Sequence, residues 1–188
     1  SNGTVTFDPL PSFTGTASLV KYVVADSTTQ RAEATIQPTV SMPAPPTATA
    51  NAQAVIPGGT VAFTTITGAS GLASSAVGLT ASATCLITPG SSPDACDADG
   101  VVDVVGVGRY TLNTTTGVVT LVADSAATQG TKAALKYQVT DTFGQTATST
   151  LTPTIPAPPT AGNDTSSDAY DTNQIIVILT NDAATAPA

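Results

Sequence analysis

Two cysteines, Cys85 and Cys96, are the only thiols in the chain, and the stretch between them carries Pro89-Gly90-Ser91-Ser92-Pro93. Proline and glycine favour a loop that returns on itself. In an oxidising setting, two cysteines at this spacing are read as a disulfide, because no third thiolate or CxxC pair offers a metal or redox alternative. Around Cys96 stand Asp94, Asp97, Asp99 and Asp103, with Gly100 among them. Asp97-Ala98-Asp99-Gly100 resembles part of a calcium loop, where carboxylates at alternate positions converge and glycine permits the turn. Ala95 and Gly106 stand where the first ligand and the closing bidentate Glu are wanted. Asp97, Asp99 and Asp103 are therefore weak calcium candidates, and the stretch is read as a solvated acidic loop with no cofactor. Asp164, Asp168 and Asp171 form a second acidic group just after a linker, where calcium could stiffen a joint between modules; they are read as polar linker caps.

Other chemistries are excluded by residue type. The chain has no His, which removes serine triads, His–Cys pairs and His-ligated zinc. Paired carboxylates can hydrolyse glycosides, but every acid except Glu33 is Asp, and no Gly-x-Ser-x-Gly elbow is present. No catalytic residue is assigned, and the chain is expected not to be an enzyme. Five basic residues against thirteen acidic ones, a net charge of −8, argue against a nucleic-acid partner. No apolar run reaches the ~20 residues that span a bilayer. With four Tyr, four Phe and no Trp, a carbohydrate- or protein-binding module that stacks ligands on aromatics is the rival reading rather than the first.

An internal repeat organises everything else. Gly15-Thr16 and Lys21-Tyr22-Val23-Val24-Ala25-Asp26 return as Gly130-Thr131 and Lys136-Tyr137-Gln138-Val139-Thr140-Asp141. Gln30, Ala32, Ile36 and Pro38 return as Gln145, Ala147, Leu151 and Pro153, and Pro43-Ala44-Pro45-Pro46-Thr47-Ala48 as Pro156-Ala157-Pro158-Pro159-Thr160-Ala161. The phase gives five parts: residues 1–41, the C-terminal part of a unit; a Pro-rich linker at 42–46; a complete unit at 47–155; a linker at 156–159; and residues 160–188, the opening of the next unit. Lacking an initiating Met or a leader segment, the chain is read as a piece of a longer protein. Lys21 and Lys136 occupy equivalent places. No acid–Asn pair repeats with them, so they are read as solvated lysines and not as isopeptide donors.

Within a unit the period is two. Ala147, Leu151, Pro153 and Ile155 alternate with Thr146, Thr148, Thr150, Thr152 and Thr154, and Leu135, Tyr137 and Val139 with Lys136, Gln138 and Thr140. Such alternation marks antiparallel strands with one dry face. Asp141-Thr142-Phe143-Gly144 is the turn between them, with Gly144 free to take positive φ. Further strands are expected at Thr60–Ile66, Val77–Ile87, Val101–Val105, Arg109–Asn113 and Val118–Val122. Pro153 points to an edge or terminal strand. The fold is read as all-β, with immunoglobulin-like antiparallel β-sandwich modules in tandem.

The phrase Gly3-Thr4-Val5-Thr6-Phe7-Asp8-Pro9, followed by Phe13-Thr14-Gly15-Thr16-Ala17 and Lys21-Tyr22-Val23-Val24-Ala25-Asp26-Ser27, resembles the repeat of CshA-type fibrillar surface adhesins of bacteria. So do Gly108-Arg109-Tyr110-Thr111 before Gly117-Val118-Val119-Thr120, and Ala161-Gly162-Asn163-Asp164 before Ile175-Ile176-Val177-Ile178-Leu179-Thr180-Asn181-Asp182. The resemblance implies an extracellular, cell-surface stalk of tandem sandwiches that projects an adhesive region. Its implied partners are neighbouring repeats of the same polypeptide, with the surface ligand bound elsewhere in the parent protein. A second arrangement follows from the phase: copies set end to end, residues 1–41 of one completing 160–188 of another by strand exchange into a filament.

Overall fold

The computed structural model describes residues 3–63 and 71–183. Strands follow in the order β1 Gly15–Thr16, β2 Val20–Ala25, β3 Arg31–Ile36, β4 Thr39–Val40, β5 Thr47–Ala48, β6 Asn51–Ala54, β7 Thr60–Ala62 and β8 Ala73–Ser74. After a 3-10 turn at Ala81–Ala83 come β9 Cys85–Leu86, β10 Val101–Val104, β11 Gly108–Leu112, β12 Val119–Ala123, β13 Gly130–Thr131, β14 Leu135–Thr140 and β15 Thr146–Ile155. No helix among the described residues is long and apolar enough to cross a membrane.

Two sheets share one core. The first runs β10-β11-β12-β7; the second contains β9, β14, β15, β13 and β6. Val102, Tyr110, Leu112, Val119 and Leu121 from the first meet Leu86, Leu135, Tyr137, Val139, Leu151 and Ile155 from the second in a single buried cluster. The alternation causes this. Leu135, Tyr137 and Val139 are buried while Lys136 between them is exposed. Burying each such side chain stabilises by about 1.5–3 kcal/mol relative to exposure. With β7, β11 and β12 as strands B, D and E, and β9, β14 and β15 as C, F and G, the strand order is that of an immunoglobulin sandwich.

Two sequence expectations are corrected, and a third is met over its described residues. The strand expected at Val77–Ile87 reduces to β9. Leu79 still bridges Asp141 and Thr80 N–H still donates to Thr140 O at 2.8 Å, but Ala81-Ser82-Ala83 turns out of the ladder, and pairing with β14 resumes at Cys85. Small side chains there bring too little buried area to hold an extended strand. The strand at Thr60–Ile66 appears as Thr60–Ala62, and positions 64–66 lie outside the described residues. Pro153 does not mark an edge, because β15 is paired on both sides. β13 and β14 lie end to end along one side, separated by a one-residue bulge: three residues (132–134) stand opposite two (152–153). β6 runs parallel along the other side. The Pro153 carbonyl accepts from Lys132 N–H at 2.9 Å, so its missing N–H would face the bulge, where no ladder bond is lost.

The repeat is legible bond by bond. Asp26 N–H donates to Gln30 O at 3.1 Å, as Asp141 N–H does to Gln145 O at 2.9 Å. Ala17 N–H donates to Pro38 O at 2.9 Å, matching Lys132 and Pro153. Thr29, with φ 68°, holds the place of Gly144, with φ 78°. What differs is cover: Tyr22 is 41% exposed where its counterpart Tyr137 is 0%.

Buried tyrosines give a first prediction. Tyr137 donates its hydroxyl to Thr49 O at 2.6 Å, whereas Tyr110, stacked on Phe63 at 6.1 Å, finds no hydroxyl partner among the described residues. Burial pushes both hydroxyls above their ordinary range. A folded value above the unfolded ~10 means that the contribution is whole below pH ~10 and is lost as pH climbs past it. Melting temperature is therefore expected to fall with pH on the alkaline side. Tyr137→Phe leaves Thr49 O without its donor and should cost about 1–3 kcal/mol, whereas Tyr110→Phe should cost nothing. Thermal melts of the two variants between pH 8 and 12 check both statements.

Candidate functional site

The residues singled out for chemistry are spread over the disulfide hairpin, the β10–β11 pair, the exposed β2–β3 ribbon and the segment after Ile155. Cys85 and Cys96 are bonded, with Cα atoms 5.5 Å apart. The loop they close is a hairpin that continues β9. Asp97 N–H donates to Leu86 O at 2.8 Å, Thr88 N–H to Ala95 O at 2.9 Å, and Ile87 bridges Cys96. Inside the hairpin the Ser91 hydroxyl donates to Thr88 O and accepts from Ala95 N–H. Lys136, from β14, pairs with Asp94 at 2.9 Å and so ties the hairpin to the sheet. Lys136 is engaged there as a solvated ion pair, and Lys21 lies opposite Thr35 on the exposed β2–β3 ribbon.

Of the acidic candidates, Asp103 pairs away from Asp97 and Asp99, which share the Val101 N–H. Asp103 stands opposite Arg109 across β10–β11 and receives both guanidinium donors at 2.8 Å. The Arg109 side-chain hydrogen bonds hold Asp103 below the usual carboxylate range. Asp97 accepts backbone N–H groups of Asp99 and Val101, and Asp99 accepts Val101 N–H at 3.0 Å. A side-chain hydrogen bond with Asp99, then those backbone donors, hold Asp97 low. Among the described residues, no three of His, Cys, Asp and Glu are grouped to hold a metal ion. A cleft of about 420 Å³ beside the disulfide is lined by Thr84, Cys85, Cys96, Asp97, Asp99 and Leu112. In the second acidic group, Asp168 accepts Ala169 N–H at 2.8 Å. The Gly162 N–H instead reaches Asp182, which the sequence reading did not single out.

The turn between β14 and β15 does more than its sequence announces. Asp141 is 2% exposed and its Oδ1 accepts Phe143 N–H and Gln145 N–H, each at 2.9 Å. The Gln145 amide then donates to Asp141 Oδ2 at 3.2 Å and to Pro43 O at 3.1 Å. The buried turn therefore holds the linker's carbonyl, and Pro46 is itself buried against the unit. Sequence reading found the turn and missed the latch. The available signal was that Gln30 and Gln145 repeat together with the Pro-Ala-Pro-Pro phrase.

A second prediction arises here. Asp141→Ala leaves two turn N–H groups unpaired in a buried setting and should cost about 1–3 kcal/mol, or roughly 4–8 °C of melting temperature per kcal/mol. Asp26 holds the same turn through Thr28 N–H and Gln30 N–H, but in the open. Asp26→Ala should leave the main transition where it is. Differential scanning calorimetry of both variants is the check.

Comparison with known families gives one finding. The family model described as the surface adhesin CshA repetitive domain matches residues 1–40 and 42–155. No curated protein matches the chain, and neither does any solved structure.

Proposed function

The chain belongs to the surface adhesin CshA repetitive-domain family, and from that premise we propose that it is a spacer: a stretch of stalk that carries an adhesive region away from a bacterial surface. One observation carries this reading. Pro43 sits beside Gln145, just before β15 begins, and Pro156 follows directly on Ile155, where β15 ends. The two linkers therefore meet the unit at opposite ends of a ten-residue strand, about 33 Å apart. Units joined in this way add length, whereas linkers at one end would fold the chain back. Short proline-rich linkers, the first held by Gln145 and buried at Pro46, keep the joint stiff.

In this reading no residue is catalytic and no cofactor is needed. Its partners are the neighbouring repeats. Completion of one chain by another is less well supported. Residues 160–188 and 1–41 together supply counterparts of β5–β7 and β12–β15, but none of β9–β11, which carry Leu86, Val102, Tyr110 and Leu112 of the core.

Small-angle X-ray scattering of the chain tests the proposal. An elongated distance distribution, lengthening by a constant increment for each added repeat, is expected. A compact particle would overturn it, and specific binding on a glycan array would move the reading to a ligand-binding module.

A further inference from the structure

Tension on the two linkers loads β6 and β15 in opposite directions along one axis. β6 is fed by the linker at 42–46, and β15 runs out into the linker at 156–159. The two strands are parallel, Asn51 to Ala54 standing opposite Leu151 to Thr154, and Val55 N–H donates to Thr154 O at 3.0 Å. Pulling therefore slides one strand along the other, and every bond of the pair must yield together. A hairpin opened from its free end gives way one bond at a time. Two details fit this loading. The Gln145 amide holds Pro43 O, extending the grip toward the start of β15. Pro153 turns its carbonyl to Lys132, so its missing N–H falls at the bulge on the opposite side of β15 and takes no bond from the pair with β6.

We propose that the β6–β15 pair is the unit's mechanical clamp, a sheared patch that must break before the sandwich opens under end-to-end force. It rests on the spacer reading for its purpose but not for its mechanics. The disulfide hairpin lies outside the clamp and locks away chain, because its cysteines are 11 residues apart. At ~3.6 Å per residue, that hides about 40 Å of contour.

The test is single-molecule force spectroscopy on the full chain, with handles at positions 41 and 158, against a second geometry with handles at 41 and 142, both at the Gln145 end. A higher rupture force is expected in the first geometry. Reduction should add about 40 Å to the length released without changing that force. Gln53→Pro, which removes an N–H that strand alternation aims at β15, should abolish most of the difference between the geometries. Should that variant fail to fold, the comparison within the unaltered chain still decides. Equal forces in the two geometries, or a force that drops on reduction, would overturn the clamp. The scattering result bears on the spacer reading alone, so the two can fail separately.

Discussion

Gly108→Ala is expected to unfold the complete unit at ambient temperature or to lower its stability by about 3–5 kcal/mol, the range of severe steric substitutions. Gly108 opens β11 and stands opposite Ala123 of β12. Its φ is 142°, a conformation that L side chains rarely adopt, and a Cβ there would run into the Val122 carbonyl and lie 2.8 Å from the Ala123 Cα. Both obstacles are backbone in a central strand pair, so no side chain can swing away. The neighbouring residues raise the cost. Arg109 holds Asp103 on the outer face, and Tyr110 fills the core. Displacing β11 to admit a methyl therefore disturbs the register of β10, β11 and β12 together. Gly144→Ala is the control: its φ is also positive, but nothing lies within 4 Å of the added methyl. Only conformational strain remains there, about 1 kcal/mol. Urea denaturation of the two variants measures the difference, and equal losses would mean that the close approach of β12 is not what makes Gly108 irreplaceable.

Such an approach is invisible in a sequence. Gly108-Arg109-Tyr110-Thr111 can be read as a strand opening, but the intolerance of its glycine depends on how closely β12 passes. The strands that were legible had one dry face and one wet face. β14 and β15 carry Leu135, Tyr137, Val139, Leu151 and Ile155 at alternate positions, and the register between them follows from burying that set. Residues 77–87 alternate too, but the middle of their apolar set is only Ala81 and Ala83. Their run of Ala, Ser and Thr fits a turn as well as a strand, and the 3-10 turn at Ala81–Ala83 resulted. Pro153 misled because the penalty for a missing N–H depends on what lies opposite it, and in this sheet a bulge does.

The candidate site divides along the same line. Asp103 entered the calcium set through its nearness in sequence to Asp97 and Asp99, but cross-strand register gives it to Arg109. The Gln145 latch ends on a backbone carbonyl, and carbonyls carry no residue signature. What the sequence could carry was the covariation built into a repeat: the same Asp, Gln and proline-rich phrase return in the same order, and the backbone turn bonds of Asp26 and Gln30 match those of Asp141 and Gln145.

Removing the disulfide is expected to have the next largest effect. Cys85→Ala with Cys96→Ala, or reduction of the unaltered chain, should cost about 3 kcal/mol by loop-closure entropy, roughly 10–20 °C in melting temperature for a domain of this size. The loss should be confined to stability. The hairpin retains its backbone bonds between Leu86 and Asp97 and between Thr88 and Ala95, and Lys136 still holds Asp94. The entropic account thus predicts an unfolded chain that gains freedom and a folded unit that changes little. Amide exchange distinguishes this from the alternative in which the bond props up a hairpin that would otherwise detach. In the entropic case, protection of Ile87 and Asp97 falls in step with the core amides of β14. Loss of protection at those two amides alone, with the melting temperature unmoved, would show that the bond holds the loop and not the fold.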